Sequence, residues 1–172
     1  MGFDREDRIR EKLVREGQHP KAVVLTCSDS RACPETLFEV EPGHLFVIRV
    51  AGNVLNSEIL ASLEYAVLEL GIPLILVLGH TECGAIKMAL SHQTKQSPAA
   101  SPFLEKLLSG IISQIQNAEG SKNEEEALRS HTEGVVSAIA KESSLLRTAI
   151  ENKRLDVVGG IHDLRTGKVQ IL

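Results

Sequence analysis

Two short polar clusters in this sequence contain residue types that hold metal ions. The first is Cys27, Asp29 and Arg31 in the segment CSDSR, and the second is His80 and Cys83 in GHTECG. Two thiols and one imidazole are a donor set that suits zinc, and three protein ligands leave a fourth tetrahedral position open. An open position is typical of a catalytic zinc rather than a structural one. Cys27, His80 and Cys83 are therefore predicted to bind Zn²⁺.

The remaining two residues suggest what such a zinc would do. Zinc lowers the pKa of a bound water from about 15.7 to around 7, although two anionic thiolates weaken this effect. Asp29 lies two residues after Cys27 and could accept a hydrogen bond from the resulting zinc-bound hydroxide. Arg31 could bind both oxygens of Asp29 and keep it ionised. If Arg31 released it, Asp29 could take the fourth metal position, so it is predicted both as a catalytic residue and as an alternative ligand.

Each of these residues alone has a simpler interpretation. A cysteine in an apolar strand is usually a small core residue, and an isolated Asp-x-Arg pair is usually a weak surface ion pair. Their coincidence at the ends of two neighbouring strands favours the metal site. Cys33 has no histidine or cysteine at ligand spacing and is predicted to be structural. Five histidines are predicted to be surface or packing residues, with a proton relay by one of them left open: His19, His44, His92, His131 and His162.

The two clusters follow two of the five predicted strands. Residues 22–26 precede CSDSR, and residues 74–78 precede GHTECG. Both runs are aliphatic and end abruptly in polar residues, which is typical of buried parallel strands. The other strands are predicted at residues 45–50, 155–161 and 168–172, and the short turn Arg165-Thr166-Gly167 predicts that the last two form an antiparallel hairpin.

Helical spacing of apolar residues separates these strands. The alternation predicts an α/β fold in which one domain, residues 1–172, has a mainly parallel four-stranded sheet of order 2-1-3-4, an antiparallel fifth strand and helices on its faces. Ligands bind beyond the carboxyl ends of such strands where the strand order reverses, so both clusters should meet there. Residues 1–18 are predicted as a helical arm, with Ile9, Leu13 and Val14 on its apolar edge. Further helices are predicted at 34–38, 57–70, from 86, 103–115, 124–141 and 143–150, with connections at 93–102 and 117–123.

Composition narrows the class of function. The chain has 172 residues, 42% of them hydrophobic, and a net charge of −4. This charge provides no basic surface for nucleic acid or an anionic membrane, and no apolar run approaches the roughly 20 residues that span a bilayer. Three cysteines cannot all pair within the chain, which favours metal binding in a reducing compartment. We therefore expect a cytoplasmic protein that acts on a small molecule, and leave a removed leader peptide open.

These motifs together resemble a known family. CSDSR, the RVAGN turn, the SLEYAV helix, GHTECGA and the closing VVGGIHDLRTGKV hairpin, in this order and separation, are similar to the β-class carbonic anhydrases. The resemblance extends from about His19 onward. It implies that Cys27, His80 and Cys83 bind one zinc per chain and that Asp29 and Arg31 are the catalytic dyad. It also implies hydration of carbon dioxide to bicarbonate and a proton, at the interface of a homodimer that can assemble further.

The sequence departs from the family in three places. Only about 18 residues precede the first strand, so either a lighter dimer contact or a shortened amino terminus is expected. Members regulated by bicarbonate use a Trp, an Arg and a Tyr, and the matching positions are Val24, Arg49 and His162, so no such regulation is predicted. The glutamine that some members place near the substrate has no counterpart between residues 54 and 64.

Two rival functions stay open at the level of sequence. Proteins of the same family hydrolyse carbonyl sulfide or carbon disulfide with the same zinc centre. A non-catalytic zinc scaffold would instead use Asp29 as a permanent fourth ligand, and such a protein would have no need of Arg31. We expect carbon dioxide hydration on these grounds.

Overall fold

The five strands form one sheet in the order β2-β1-β3-β4-β5. The computed structural model describes residues 5–95, 99–115 and 123–172. The strands are β1 Ala22–Thr26, β2 Leu45–Arg49, β3 Leu74–His80, β4 Asp156–His162 and β5 Val169–Ile171. The helices are α1 Arg5–Glu16, α2 Pro34–Leu37, α3 Ser57–Leu68, α4 Gly84–Lys95, α5 Pro102–Gln114, α6 Glu124–Glu142 and α7 Ser144–Glu151, and a short 3₁₀ turn covers Ala51–Asn53.

The direction of the strands confirms the predicted α/β fold. The first four strands are parallel, and β5 pairs antiparallel with β4. The two central strands, β1 and β3, are almost completely buried because helices cover both faces of the sheet. Of the predicted connections, residues 96–98 and 117–122 lie outside the described residues.

Strand β3 is two residues longer than its apolar run predicts. It continues through Gly79 and His80 because β4 extends the ladder as far as His162. Helix α6 packs directly on this end of the strand: a side chain at Gly79 would begin 2.7 Å from Thr132 Oγ1 and 2.9 Å from Leu128 Cδ1. His80 therefore lies within the sheet and is held by it, and does not belong to the loop that follows.

Two apolar clusters lie against the sheet. The larger one joins β1 and β3 to α3, α6 and α7, and includes Leu25, Leu63, Ile75 and Ile139. The second lies at the carboxyl end of β1, where α4, α5 and α6 meet, and contains Cys27 and Cys83 themselves. The two predicted cysteine ligands are thus part of a packed hydrophobic cluster.

The amino-terminal helix was predicted less accurately. Val14, expected on its apolar edge, is 88% exposed. Leu13 packs closely against Gly43, in the turn before β2. The narrow apolar edge is therefore smaller than the sequence suggests.

Among the described helices, none combines the length and apolar character that crossing a bilayer requires.

Candidate metal centre

The ends of β1 and β3 bring the two polar clusters together. Thr26 pairs with Leu78 across the two strands, and its hydroxyl donates to the Leu78 carbonyl at 2.9 Å. Cys27 follows Thr26 directly, His80 ends β3, and Cys83 lies just before α4. Each of the three offers a ligand atom, and these atoms lie within 4.8 Å of one another in a buried group. The structure therefore gathers the three residues that the sequence singles out as metal ligands.

The imidazole of His80 is oriented for binding. Its Nδ1 lies 2.9 Å from the carbonyl oxygen of Thr81, which can only accept, so the proton is assigned to Nδ1. This leaves a lone pair on Nε2. That atom is buried and has no hydrogen-bond partner among the described residues. A buried nitrogen without a partner costs free energy unless something binds it, and a metal ion fits this position.

The two buried thiols, Cys27 and Cys83, shift each other's pKa in opposite directions. The adjacent Cys83 thiol and the backbone amide of Gly52 lower the pKa of Cys27 despite its burial, and Gly52 N lies 3.3 Å from Cys27 Sγ. The bond to Cys27 and burial raise the pKa of Cys83, against the opposing effect of the Ile86 and Ala85 amides. A divalent cation would bind both sulfurs as thiolates, so metal binding and proton release are coupled. Two sulfurs and one imidazole nitrogen fit zinc.

Asp29 lies beside these three donors and is bound by Arg31. Arg31 Nε donates to Asp29 Oδ1 at 2.9 Å and Nη2 donates to Oδ2 at 2.8 Å. These bonds hold the pKa of Asp29 well below its usual range. Oδ2 is 4.0 Å from His80 Nε2. The carboxylate is therefore adjacent to the donor group and is not gathered into it, and its roles in catalysis and as an alternative ligand stay predictions.

A second arginine holds the backbone of this loop. Arg49 Nε donates to the Cys27 carbonyl at 3.2 Å, and its Nη2 donates to the Asp29 carbonyl at 2.6 Å. The sequence marks Arg49 only as the match to the arginine of bicarbonate-regulated members, so this contact with the loop backbone was not predicted. Arg49 fixes the path of the chain between a metal donor and the carboxylate.

The turn between His80 and Cys83 is constrained as well. Glu82 has a φ of 58°, a left-handed conformation that non-glycine residues adopt only when their surroundings hold them there. Its side chain forms ion pairs with Lys87 and, at 3.2 Å, with Arg165. Its carbonyl accepts a long hydrogen bond of 3.4 Å from Arg31 Nη2, which connects the two loops of the site. A left-handed position is usually recognised in a sequence by a glycine. Because a glutamate occupies this one, the sequence does not reveal it.

The other candidate residues lie away from the donor group. The sulfur of Cys33 is 3.5 Å from Glu35 Oε2 and is not part of the cluster. His19 and His44 are exposed, and His92 pairs with Glu105 at 3.1 Å. His131 and His162 are buried, at 0% and 6% exposure. A hydrogen bond joins His131 to Gly52, whose amide in turn donates to Cys27 Sγ.

Comparisons with known proteins agree with the geometry. A family model described as carbonic anhydrase matches residues 22–169. A carbonic anhydrase of Mycolicibacterium smegmatis is 32% identical over 164 residues, which cover 94% of this chain and 79% of that protein. Carbonic anhydrase 2 of Mycobacterium tuberculosis is 34% identical over 155 residues, covering 88% of this chain and 74% of the relative.

Solved structures give the same result. The β-carbonic anhydrase CcaA superposes with a TM-score of 0.84 at 28% identity, over 95% of this chain and 84% of that one. A tetrameric β-carbonic anhydrase of Sordaria macrospora superposes with a TM-score of 0.79 at 25% identity, over 96% and 88% of the two chains. The fold of this chain is therefore similar to that of these β-carbonic anhydrases.

Proposed function

This chain belongs to the β-class carbonic anhydrase family, and from that membership we propose that it hydrates carbon dioxide reversibly, giving bicarbonate and a proton, at Cys27, His80 and Cys83. The observation that carries this function is the gathering of these three donors within 4.8 Å. The buried Nε2 of His80, which has no partner among the described residues, adds to it. The chain is accordingly a zinc enzyme, a carbonate dehydratase.

Zinc held by these donors would supply a Lewis acid and lower the pKa of water beside it. Residues of the chain would orient that water. Asp29 Oδ2, 4.0 Å from His80 Nε2, is placed to accept a hydrogen bond from a water next to the donors and so direct the oxygen lone pair toward carbon dioxide. Arg31 keeps that carboxylate ionised, so that it accepts and does not donate. Asp29 and Arg31 are thus the proposed catalytic pair.

The pairing of Asp29 with Arg31 also argues against the alternative function of a non-catalytic zinc scaffold. A scaffold in which Asp29 permanently completed the metal coordination would have no use for a two-pronged contact that holds the carboxylate on the guanidinium. The pairing supports a site whose fourth position is available to substrate and water. Release of Asp29 by Arg31 would let the carboxylate move among the donors and close that position.

We propose that the active protein is a homodimer or a larger homo-oligomer. Support comes from apolar side chains that are exposed on the single chain, including Tyr65 at 49%, Leu68 at 48% and Phe103 at 86%. Tyr65 and Leu68 lie one turn apart on α3, and apolar groups exposed side by side mark protein contacts more often than single ones. Light scattering on the purified protein tests the proposal, and a monomer at micromolar concentration would contradict it.

We also propose a cytoplasmic location, because the three cysteines are free and two of them must stay reduced to bind metal. Fractionation of cells that produce the chain with its native ends tests this. Recovery in a secreted or oxidising compartment would contradict it.

The assay that tests the function is stopped-flow hydration of carbon dioxide with a pH indicator, on zinc-loaded and zinc-stripped protein. We expect rapid acidification with zinc, loss of rate on stripping and recovery on readdition. Carbonyl sulfide is run alongside as a second substrate. Faster turnover of carbonyl sulfide than of carbon dioxide, or no zinc-dependent hydration, would overturn the assignment.

A further inference from the structure

A chain of two hydrogen bonds connects helix α6 to the sulfur of Cys27. His131 is 0% exposed, and its Nε2 lies 2.7 Å from the carbonyl oxygen of Gly52. The carbonyl can only accept, so the proton is on Nε2. The amide of the same residue, Gly52, donates to Cys27 Sγ at 3.3 Å. His131 therefore binds the carbonyl of Gly52, and the amide of Gly52 binds a predicted zinc ligand.

We propose that His131 is a positioning residue for the metal centre, which holds Gly52 so that its amide donates to the Cys27 sulfur. This positioning role rests on one part of the proposed function, the binding of zinc by Cys27. His131 does not contact the reacting atoms. It acts through Gly52 on the donor strength and orientation of one thiolate.

The surroundings of Gly52 explain why the turn needs this anchor. Gly52 has a φ of 65°, and a side chain at this position would begin 2.8 Å from Ile111 Cδ1 and 3.1 Å from Ala85 Cβ. The backbone thus passes close to α4 and α5, where only glycine fits. Its carbonyl is buried with the residue, and without His131 it would lose its acceptor bond. A buried carbonyl left without a donor favours rearrangement of the turn, which would carry the amide away from Cys27.

The chemical consequence concerns the charge on the sulfur. Two thiolates donate strongly to a metal and reduce its effect on nearby water. A hydrogen bond from an N–H group to one sulfur withdraws electron density from that sulfur. The metal then lowers the pKa of nearby water more strongly. Hydrogen bonds to ligating sulfur are a recognised means by which proteins tune metal centres. We infer that His131 secures such a bond at Cys27.

The identity of the residue fits this task. The other ring nitrogen of His131, Nδ1, has no partner among the described residues, and burial lowers the pKa of the ring. The neutral ring has one donor, and that donor is used on Gly52. A glutamine places an amide N–H at a similar reach, whereas a leucine fills similar volume and has no donor.

The test compares His131→Leu with His131→Gln in cobalt-substituted protein. We expect His131→Leu to move the thiolate-to-cobalt charge-transfer band to longer wavelength, because a sulfur that loses its hydrogen bond gives up electrons more easily. We also expect its zinc affinity to fall by about 10-fold or more in chelator competition. His131→Gln should restore most of both properties. Ser137→Ala is the control on the same helix and should keep both properties: Ser137 is exposed and its hydroxyl bonds within α6, to Glu133 O.

Three results would overturn the inference. One is a folded His131→Leu variant with the band and zinc affinity of the parent. Another is a His131→Gln variant as impaired as His131→Leu, which would indicate packing by the ring and not its donor. The third requires no variant: cadmium-113-loaded parent protein should show scalar coupling from the Gly52 amide proton to the metal through the sulfur, and absence of that coupling would remove the link.

These outcomes are separable from the proposed function. A protein that hydrates carbon dioxide with no change of the cobalt spectrum in His131→Leu refutes the role of His131 alone. A protein that shows the spectral change and the coupling but hydrates no carbon dioxide keeps the positioning role and refutes the activity.

Discussion

Arg31 binds both carboxylate oxygens of Asp29, through Nε at 2.9 Å and Nη2 at 2.8 Å, and its backbone amide adds a third bond to Oδ1 at 3.0 Å. A planar guanidinium matches a carboxylate in this geometry, which a lysine cannot reproduce. Because Oδ2 is 4.0 Å from the free nitrogen of His80, this contact determines where the carboxylate stands relative to the metal donors. The position of Asp29 beside the donors thus depends on its contact with Arg31.

Replacing Arg31 should therefore separate metal binding from catalysis. We expect Arg31→Ala to retain zinc, because none of the three donors is changed, and to lose about 100-fold in carbon dioxide hydration, the scale at which a positioned proton acceptor contributes. Arg31→Lys should keep the charge and recover only part of the rate. Zinc content and stopped-flow rates measure both. Arg129→Ala removes a surface ion pair with Glu133 and serves as the control; an Arg31→Ala enzyme with the parent rate would refute the pair.

The cysteines allow a matched comparison within the chain. Cys83→Ser should lose zinc and, with it, hydration activity, because a neutral hydroxyl is a poor replacement for a thiolate donor. Cys33→Ser changes the same atom outside the cluster and should keep both. Metal analysis after dialysis against a weak chelator distinguishes them. Stoichiometric zinc in the Cys83→Ser protein would show that Cys83 is not a ligand.

Two glycines with the same left-handed backbone test the close packing of the turn at Gly52. Gly52 and Gly71 both have a φ of 65°, but a side chain at Gly71 would meet nothing within 4 Å. Gly71→Ala should therefore cost about 1–2 kcal/mol from backbone strain alone. Gly52→Ala adds contacts with Ile111 and Ala85 and should cost about 1–3 kcal/mol more in free energy of unfolding. Urea unfolding of the zinc-loaded variants gives both values, and equal losses would argue against a tight site at Gly52.

The buried His131 predicts how stability depends on pH. Burial lowers the pKa of His131 in the folded protein, so the unfolded chain binds the proton first. The contribution of the neutral ring is then present above the unfolded pKa of about 6.5 and is lost as pH falls toward the folded value. Relative to His131→Gln, the parent should lose up to about 1.4 kcal/mol for each pH unit below about 6.5. Urea unfolding of both proteins at pH 7.5 and pH 5.5 measures this difference, and parallel losses would show that His131 does not titrate as a buried ring.

Much of the fold follows from local patterns in the sequence. The apolar runs before CSDSR and GHTECG identify β1 and β3, and the rule that ligands bind where strand order reverses places them side by side, as the sheet confirms. The donor group is predictable for the same reason, since the residue types and their positions after the strands are both local signals. The extension of β3 to His80 was missed because it depends on pairing with β4 rather than on hydrophobicity.

What the sequence does not reveal are the residues that support the donors from a distance. His131 and the Gly52 carbonyl are 79 positions apart, and a histidine within a helical pattern looks the same whether it faces water or a buried carbonyl. Arg49 is similar: only the structure shows that its guanidinium binds the carbonyls of Cys27 and Asp29. Such contacts depend on how α6 and β2 pack against the site, which periodicity does not encode.

The roles proposed for Asp29, Arg31 and His131 all require that Cys27, His80 and Cys83 bind one zinc ion together. X-ray absorption at the zinc edge of the loaded protein tests it most directly. We expect two sulfur neighbours at about 2.3 Å and lighter nitrogen or oxygen neighbours at about 2.0 Å. A spectrum with no sulfur around the zinc, or with a single sulfur, would contradict it.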